Sequence, residues 1–426
     1  MNIYLGLGSN AGDRKSHILQ ALSLLKSFVQ IKKISSFYEN PALLPNQYDS
    51  SWNRPFLNMV LKGRISLDIK EFFSAIQNIE TQLGRLKNHR KWSPRTIDID
   101  ILAVDELEYS DKNLTIPHPS LIERDFVLSP LRDIEPDLKI NNQSILYLCR
   151  HLKNKLPAWM DILNVTPDSF SDGGDFFYKK EVSKKIKHKI EEKIKTDEAF
   201  FVQYIDVGGY STRPGASDIS VEEEWCRISP FFEIIKDIKH FMKISVDTFR
   251  AEIAKKALGH GADMINDVSG LSDSKMIDLL KDSDCDYVLM HSLGVPADKK
   301  ITFSEKQDPV EEVKNWLEQK LNILEKNRIH LKRVIFDPGI GFGKTAQQSL
   351  ILLKNITDFM KYPVRLMLGH SRKSFIADFS KVQNPALRDF ESIGISMELA
   401  EKGVDIIRVH DASKHARAWL AQKHIS

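Results

Sequence analysis

The sequence predicts two domains in series: an α+β sandwich of the ferredoxin-like kind over residues 1–157, then a (β/α)8 TIM barrel over residues 158–426. Three observations lead there. A chain of 426 residues is longer than one hydrophobic core ordinarily serves. Its first 140 residues run in the order β-α-β-β-α-β, which suits a sandwich of helices on one sheet. From Met160 the pattern becomes a regular alternation of short apolar runs and helix-like segments, repeated eight times, as a closed barrel of parallel strands requires.

The first domain opens with a strand at Asn2–Leu7 and an amphipathic helix at Ser16–Val29, whose apolar stripe is Ile18, Leu22, Leu25 and Val29. Strands follow at Ile31–Tyr38 and Phe56–Ile65. A helix at Ile69–Leu83 carries Phe72, Ile76, Ile79 and Leu83 on one face, and Thr96–Val104 is the last strand. A short helical run at Ser144–Leu152 leads to Pro157, where the boundary is drawn. In the second domain the apolar runs fall at 160–165, 201–207, 242–247, 263–268, 286–291, 333–337, 364–369 and 405–409. Lys180–Lys195 is the first intervening helix, with Val182, Ile186, Ile190 and Ile194 in a stripe and its lysines on a solvated face. Most of the strands end in a polar residue that packing does not ask for: Asn164, Asp206, Asp247, Asn266, His291, Asp337, and Arg408 with His410. Strand ends converge on one mouth of a barrel, so these groups share a site.

Composition narrows the function. A net charge of +3 is small for this length and gives no reason to expect nucleic acid or an anionic membrane as a partner. Cys149, Cys226 and Cys285 lie far apart, without metal-ligand spacing, which fits a reducing cytoplasm. The start, MNIYLGLGSN, reads as a strand and glycine turn rather than a secretory or transit segment, and no apolar run approaches bilayer length.

The strongest local signal is Lys91-Trp-Ser-Pro-Arg-Thr-Ile-Asp-Ile-Asp100. Residues two apart on a strand share a face, so Asp98 and Asp100 present two carboxylates together while Ile97, Ile99 and Ile101 face the core. Paired hard oxygens suit Mg²⁺; the plainer reading is a strand with one wet face. Arg85 and Arg95 bracket the pair, with Lys87, His89, Arg90 and Lys91 nearby. Carboxylates for a metal beside several cations are what phosphoryl transfer from Mg·ATP needs.

With the opening GLGSN and Leu114-Thr-Ile-Pro-His118-Pro, this run resembles the hydroxymethyl-dihydropterin pyrophosphokinases over roughly residues 1–140. The resemblance implies that Asp98 and Asp100 hold two Mg²⁺, that Arg85 and Arg95 hold ATP phosphates, and that Glu80 and His118 belong to the nucleotide site. It further implies that Asn58, Trp92 and Phe126 enclose the pterin, with Arg124 nearby. Two departures stand out: Ser93 where the family usually has Gly or Ala, and the loop Tyr38-Glu-Asn-Pro-Ala-Leu-Leu-Pro45 in place of Thr-Pro-Pro-Leu-Gly. Asn40 and Leu43 are therefore looser candidates for pterin contact.

The barrel carries, in order, Asn164-Val-Thr-Pro-Asp-Ser-Phe-Ser-Asp-Gly-Gly174, Asp206-Val-Gly-Gly-Tyr-Ser-Thr-Arg-Pro-Gly215, Ser245-Val-Asp-Thr248, Asp337-Pro-Gly-Ile-Gly-Phe-Gly343, His370-Ser-Arg-Lys-Ser374 and Arg408-Val-His410. Together these resemble dihydropteroate synthases over about residues 159–420. Physically, a pterin ring offers an amino-amidine edge of donors, which Asp247 and Asp337 can accept, with Asn266 able to donate and accept, and Lys373 donating to the ring carbonyl. Arg213, Arg408 and His410, with Thr212 and Asn164, suit a departing diphosphate, through one Mg²⁺ at Asn164. The resemblance places p-aminobenzoate among Phe170, Pro214 and Ser374, under closing loops 166–175 and 209–217. It also implies a homodimer through the barrel. The expected partners are small molecules: ATP, hydroxymethyl-dihydropterin and p-aminobenzoate.

Rival readings have distinct signatures. A pterin-dependent methyltransferase barrel shares the pterin-binding acids but does not handle diphosphate. A ferredoxin-like RNA-binding sheet needs exposed aromatics where this chain offers Asp98 and Asp100. A lapsed scaffold would lack charged groups that are present here. Gly6-x-Gly8-x-x-Ala11 is a loose dinucleotide fingerprint without its acidic partner, and Gly343-Lys-Thr345 is like a P-loop ending with Pro338 in place of the first glycine.

Overall fold

The structure is a computed structural model that describes residues 1–85, 90, 92–152, 155–165, 180–211, 217–237, 241–296, 298 and 300–425; the side chains of 180–186 and 237 are also undescribed. Phe170, Thr212, Arg213 and Pro214 lie outside the described residues, as do Lys87, His89 and Lys91. Two compact units emerge, Met1–Leu156 with Ala418–Ser426, and Pro157–Arg417.

In the first unit, β1 (Asn2–Ser9) leads through Asp13, whose carboxylate caps the Ser16 N–H, into α1 (Arg14–Leu25). Then come β2 (Gln30–Ile34), β3 (Tyr38–Asn40), β4 (Phe56–Arg64), α2 (Ile69–Gln82) and β5 (Asp98–Val104). The antiparallel sheet has the order β2-β4-β1-β5, with β3 also on β4. One expected strand, Ile31–Tyr38, is thus two. The break falls at Ser35, whose hydroxyl accepts the Val60 N–H at 2.9 Å and replaces a ladder bond. The α1 helix likewise ends at Leu25, four residues short of the expected Val29, although Val29 is buried.

Two small hairpins, β6 (Tyr109–Ser110) with β7 (Thr115–Ile116) and β8 (Lys139–Ile140) with β9 (Gln143–Ser144), flank α3 (Asp125–Ile134), and α4 (Ile145–His151) follows. The α3 helix was not expected from sequence. It buries Val127, Leu128, Leu131 and Ile134 with Tyr4, Val60 and Leu102 of the sheet, an apolar cluster that covers part of one sheet face.

The second unit is a closed barrel of eight parallel strands: β10 (Ala158–Asn164), β11 (Tyr204–Gly208), β12 (Lys243–Asp247), β13 (Met264–Asp267), β14 (Asp286–Met290), β15 (Val334–Asp337), β16 (Arg365–Gly369) and β17 (Ile406–Val409). Between them run α5 (Lys180–Ala199), α6 (Val221–Asp237), α7 (Ala251–Gly259), α8 (Lys275–Lys281), α9 (Pro309–Lys326) and α10 (Ala346–Lys354). Then α11 (Phe375–Ser380) and α12 (Asp389–Lys402) precede the last strand, and α13 (Ala412–Ile425) closes the chain. Ile190 and Ile194 of α5 are fully buried, in line with their stripe. The strands are buried on both faces, as a helix-wrapped parallel sheet demands. Their register sets Gly208 beside Asp247 and Asp247 beside Asn266, so the polar strand ends lie in one layer.

Candidate functional sites

In the first unit the site is built on β1 and its two neighbours. Gly8 is registered with Asn58 on β4 and Asp98 on β5, and Gly6 with Asp100. The two glycines leave room between these side chains: a Cβ at Gly8 would stand 2.7 Å from the Asn58 Oδ1. The spacing that resembled a dinucleotide fingerprint is thus the floor of a pocket. That pocket holds about 740 Å³ of empty space, part of it open to solvent, and is lined by Asn40, Leu43, Asn58, Trp92, Arg95, Asp98, Asp100, Arg124 and Phe126 among others. Asn58 donates to the side-chain oxygen of Asn40, joining a firm and a looser candidate from sequence. Trp92 takes a left-handed backbone conformation and is partly exposed at the rim.

Asp98 is held by two guanidinium groups, Arg85 and Arg95, each at 2.8 Å. Asp100 has Arg124 at 3.4 Å and the His118 Nε2 at 3.9 Å. Its recessed position and the neighbouring Asp98 carboxylate push the Asp100 carboxyl up to about 7. Burial and the nearby Arg124 hold His118 below its ordinary value. Glu80 is placed differently from the pocket residues. Its buried carboxylate accepts from Arg85 and from the Ile99 N–H at 2.9 Å, tying the arginine to β5.

A residue that motif reading missed is Asn10. It exchanges two hydrogen bonds with the Arg95 backbone (N–H to carbonyl at 3.2 Å, and Oδ1 from N–H at 2.8 Å), fixing the stem of that arginine. The GLGSN opening contained the signal, but only the fold shows its partner.

In the barrel, Arg408 reaches across from β17. Its Nε donates to Asp206 at 2.6 Å and its terminal nitrogen to Asp247 at 2.9 Å. Burial pushes the Asp247 carboxyl up to about 7 despite this arginine. Asp337 accepts the Gly339 N–H at 2.7 Å, and burial raises its carboxyl as well. Gly339 is required there, because φ is +66° and a Cβ would sit 1.9 Å from the His291 carbonyl oxygen.

Lys373 donates to the Ile340 carbonyl and stands 4.7 Å from the Phe342 ring centre. Burial pulls its ammonium down to about 8, against the attraction of Asp337. The loop before it is pinned by Arg388, which donates to the carbonyls of Arg372 at 2.9 Å and Lys373 at 3.1 Å. Lys344, of the P-loop-like segment, is buried and contacts His291 Nδ1 at 2.9 Å, and donates to the carbonyls of Gly339 and Phe342. It therefore braces the Asp337 loop.

His410 contacts the Ser371 hydroxyl at 3.1 Å. Ser374, the N-cap residue just before α11, is exposed, and the Asn164 amide oxygen lies 3.5 Å from where a Cβ on Gly208 would stand. The structure thus gathers Asp247, Asn266, Asp337, Lys373 and Arg408 through direct bonds, shared register or charge interaction.

The two geometries have counterparts among known proteins. The profile for 7,8-dihydro-6-hydroxymethylpterin-pyrophosphokinase matches residues 4–136, and the profile for pterin binding enzymes matches residues 160–410. The folate synthesis bifunctional protein of Chlamydia muridarum is 34% identical over 449 residues, covering 98% of this chain and 97% of that one. The chain belongs to this bifunctional folate-synthesis family. The folic acid synthesis protein fol1 of Schizosaccharomyces pombe is also 34% identical, over 97% of this chain, which spans 58% of that longer relative.

Among solved structures, the dihydropteroate synthase of Clostridium difficile with pteroic acid is similar at 31% identity and a TM-score of 0.56, over 63% of this chain and 96% of that one. The Xanthomonas albilineans synthase with 4-aminobenzoic acid follows at 31% identity and a TM-score of 0.55, over 63% and 93%. The folate-synthesis chain is accordingly a bifunctional enzyme, a pyrophosphokinase domain followed by a dihydropteroate synthase domain, and these matches do not favour the methyltransferase alternative.

Proposed function

We propose that the first domain, residues 1–157, transfers a diphosphoryl group from ATP to 6-hydroxymethyl-7,8-dihydropterin, releasing AMP. The second, residues 158–426, then joins the activated pterin to p-aminobenzoate, giving 7,8-dihydropteroate and diphosphate. The observation that carries the first half is the pocket shared by Asn58, Trp92 and Phe126 with the Asp98–Asp100 pair. A pterin between the aromatics brings its hydroxymethyl group toward the carboxylates.

The donor set fits Mg²⁺. Among the described residues no cluster of three or more His, Cys, Asp or Glu could hold a metal, so two carboxylates leave most of an octahedral shell to water and phosphate oxygens. Asp98 and Asp100 would hold two such ions, and Asn164 one neutral oxygen ligand for a third in the barrel. When bound, the ions neutralise phosphate charge. Arg85 and Arg95 bind and orient the ATP phosphates, Glu80 steadies Arg85, and His118, kept neutral by its burial, lies at the nucleotide side.

In the barrel, Asp247, Asn266 and Asp337 accept the donor edge of the pterin while Lys373 donates to its carbonyl. The arylamine lone pair attacks the pterin methylene carbon, the C–O bond breaks, the diphosphate leaves with that electron pair, and the new ammonium nitrogen gives up one proton to water. Arg408, His410 and Asn164, with Thr212 and Arg213, stabilise the departing charge; Phe170, Pro214 and Ser374 form the p-aminobenzoate pocket. We further propose a cytoplasmic homodimer. Phe379, Leu387 and Phe390, 52%, 65% and 87% exposed within twelve residues of the barrel unit, favour a covered surface there.

The test is a coupled assay following AMP and dihydropteroate in wild type, Asp98→Ala and Lys373→Ala. AMP should vanish only in the first variant and dihydropteroate in both. Loss of AMP in Lys373→Ala, with the chain still folded, refutes the division of labour.

A further inference from the structure

Asp206 is an interior strand residue to which the site reading assigns no role. It is fully buried on β11, two residues before Gly208, and so shares the strand face that meets Asp247. A single carboxylate oxygen, Oδ2, accepts twice: from the Arg408 Nε at 2.6 Å and from the Asn266 side-chain amide at 2.9 Å.

The second contact fixes the amide. Turned over, Asn266 would set its own oxygen 2.9 Å from a carboxylate oxygen, acceptor against acceptor, which is repulsive. The amide nitrogen therefore stays on Asp206, and the amide oxygen is left to another donor. Among the described residues Asn266 Oδ1 is buried and has no hydrogen-bond partner. A buried acceptor without a partner costs free energy that an arriving N–H recovers. Asn266 is registered beside Asp247, which puts that oxygen in the layer of carboxylates proposed to receive the pterin.

We propose that Asp206 is a positioning residue of the synthase site, holding Asn266 with its carbonyl oxygen toward the pterin N–H edge while it aims Arg408 at the diphosphate. Its Oδ2 acts through two groups proposed to contact the substrate. One carboxylate oxygen thereby couples the pterin half of the site to the leaving-group half. The inference rests on the pterin reading of the barrel and deepens it.

The test uses the full-length chain, with the calorimetric transition of the barrel unit in the same preparation as the check on its folding. Dihydropteroate formation is measured with 6-hydroxymethyl-7,8-dihydropterin diphosphate and p-aminobenzoate each varied. Asp206→Ala should raise KM for the pterin diphosphate at least tenfold and leave KM for p-aminobenzoate within threefold. Asp206→Asn keeps an acceptor oxygen and should hold the pterin KM within about threefold of wild type. In an Asn266→Ala background, Asp206→Ala should raise the pterin KM by a clearly smaller factor than in wild type, since one of the two partners it acts through is gone.

A purely structural role predicts otherwise: both KM values would drift together, and the effect would persist undiminished without Asn266. Either pattern overturns the inference, as does an unchanged pterin KM in Asp206→Ala. Should Asp206→Ala fail to fold, Asp206→Ser, too short to reach both partners, takes its place under the same criteria. Wild type that makes AMP but no dihydropteroate would overturn the synthase reading itself, and this inference with it.

Discussion

Lys373 should cost the barrel stability that its chemistry requires. Its ammonium falls from 10.5 to about 8, chiefly through burial. At about 1.4 kcal/mol per pH unit, the charged form destabilises the folded state by about 3 kcal/mol relative to a neutral side chain. The sign follows from a depressed folded value. Below pH 8 both states are protonated and the cost is complete. Between pH 8 and 10.5 the unfolded chain alone holds the extra proton, so stability rises with pH; above that window the cost is gone. Replacing Lys373 by Met removes the charge and keeps the length, but forfeits the bond to the Ile340 carbonyl, worth about 1 kcal/mol. Lys373→Met should therefore stabilise the barrel by about 2 kcal/mol at pH 7, or about 4–8 °C in its calorimetric transition. The advantage should fall through zero between pH 8 and 10.5 and become a deficit of about 1 kcal/mol above that window, where only the lost bond remains, while dihydropteroate formation is lost. A variant less stable at pH 7, or a gain that does not change with pH, refutes the reasoning.

Two further outcomes follow from single contacts. Arg408→Lys offers one ammonium where the guanidinium spans Asp206 and Asp247; it should destabilise the barrel by about 3 kcal/mol and cut dihydropteroate turnover at least about 100-fold, read by calorimetry and steady-state kinetics. Gly339→Ala places a Cβ against the His291 carbonyl at 1.9 Å in a left-handed backbone; the barrel transition should fall by upwards of about 3 kcal/mol while AMP formation persists.

Much of this was legible before the structure. The eight barrel strands lie within about three residues of their apolar runs, because a strand buried on both faces leaves an uninterrupted signature. Asp98 and Asp100 share a face for the simple reason that strands alternate. What was missed depended on partners distant in sequence. Ser35 breaks a strand only because Val60 lies opposite. The α3 helix, with Pro130 inside, gains its burial from Tyr4, Val60 and Leu102. Asn10 is informative only once Arg95 lies beside it, and Asp206 only once Asn266 and Arg408 converge on the same oxygen.

The central claim, two separate sites performing successive steps, is tested most directly by mixing two crippled full-length chains. Asp98→Ala should lack AMP formation and Lys373→Ala should lack only the condensation. Supplied with ATP, Mg²⁺, hydroxymethyl-dihydropterin and p-aminobenzoate, neither chain alone should make dihydropteroate. The account predicts that their mixture does, because the activated pterin leaves one chain and enters the other. A mixture as inactive as its components, beside an active wild type, would contradict it.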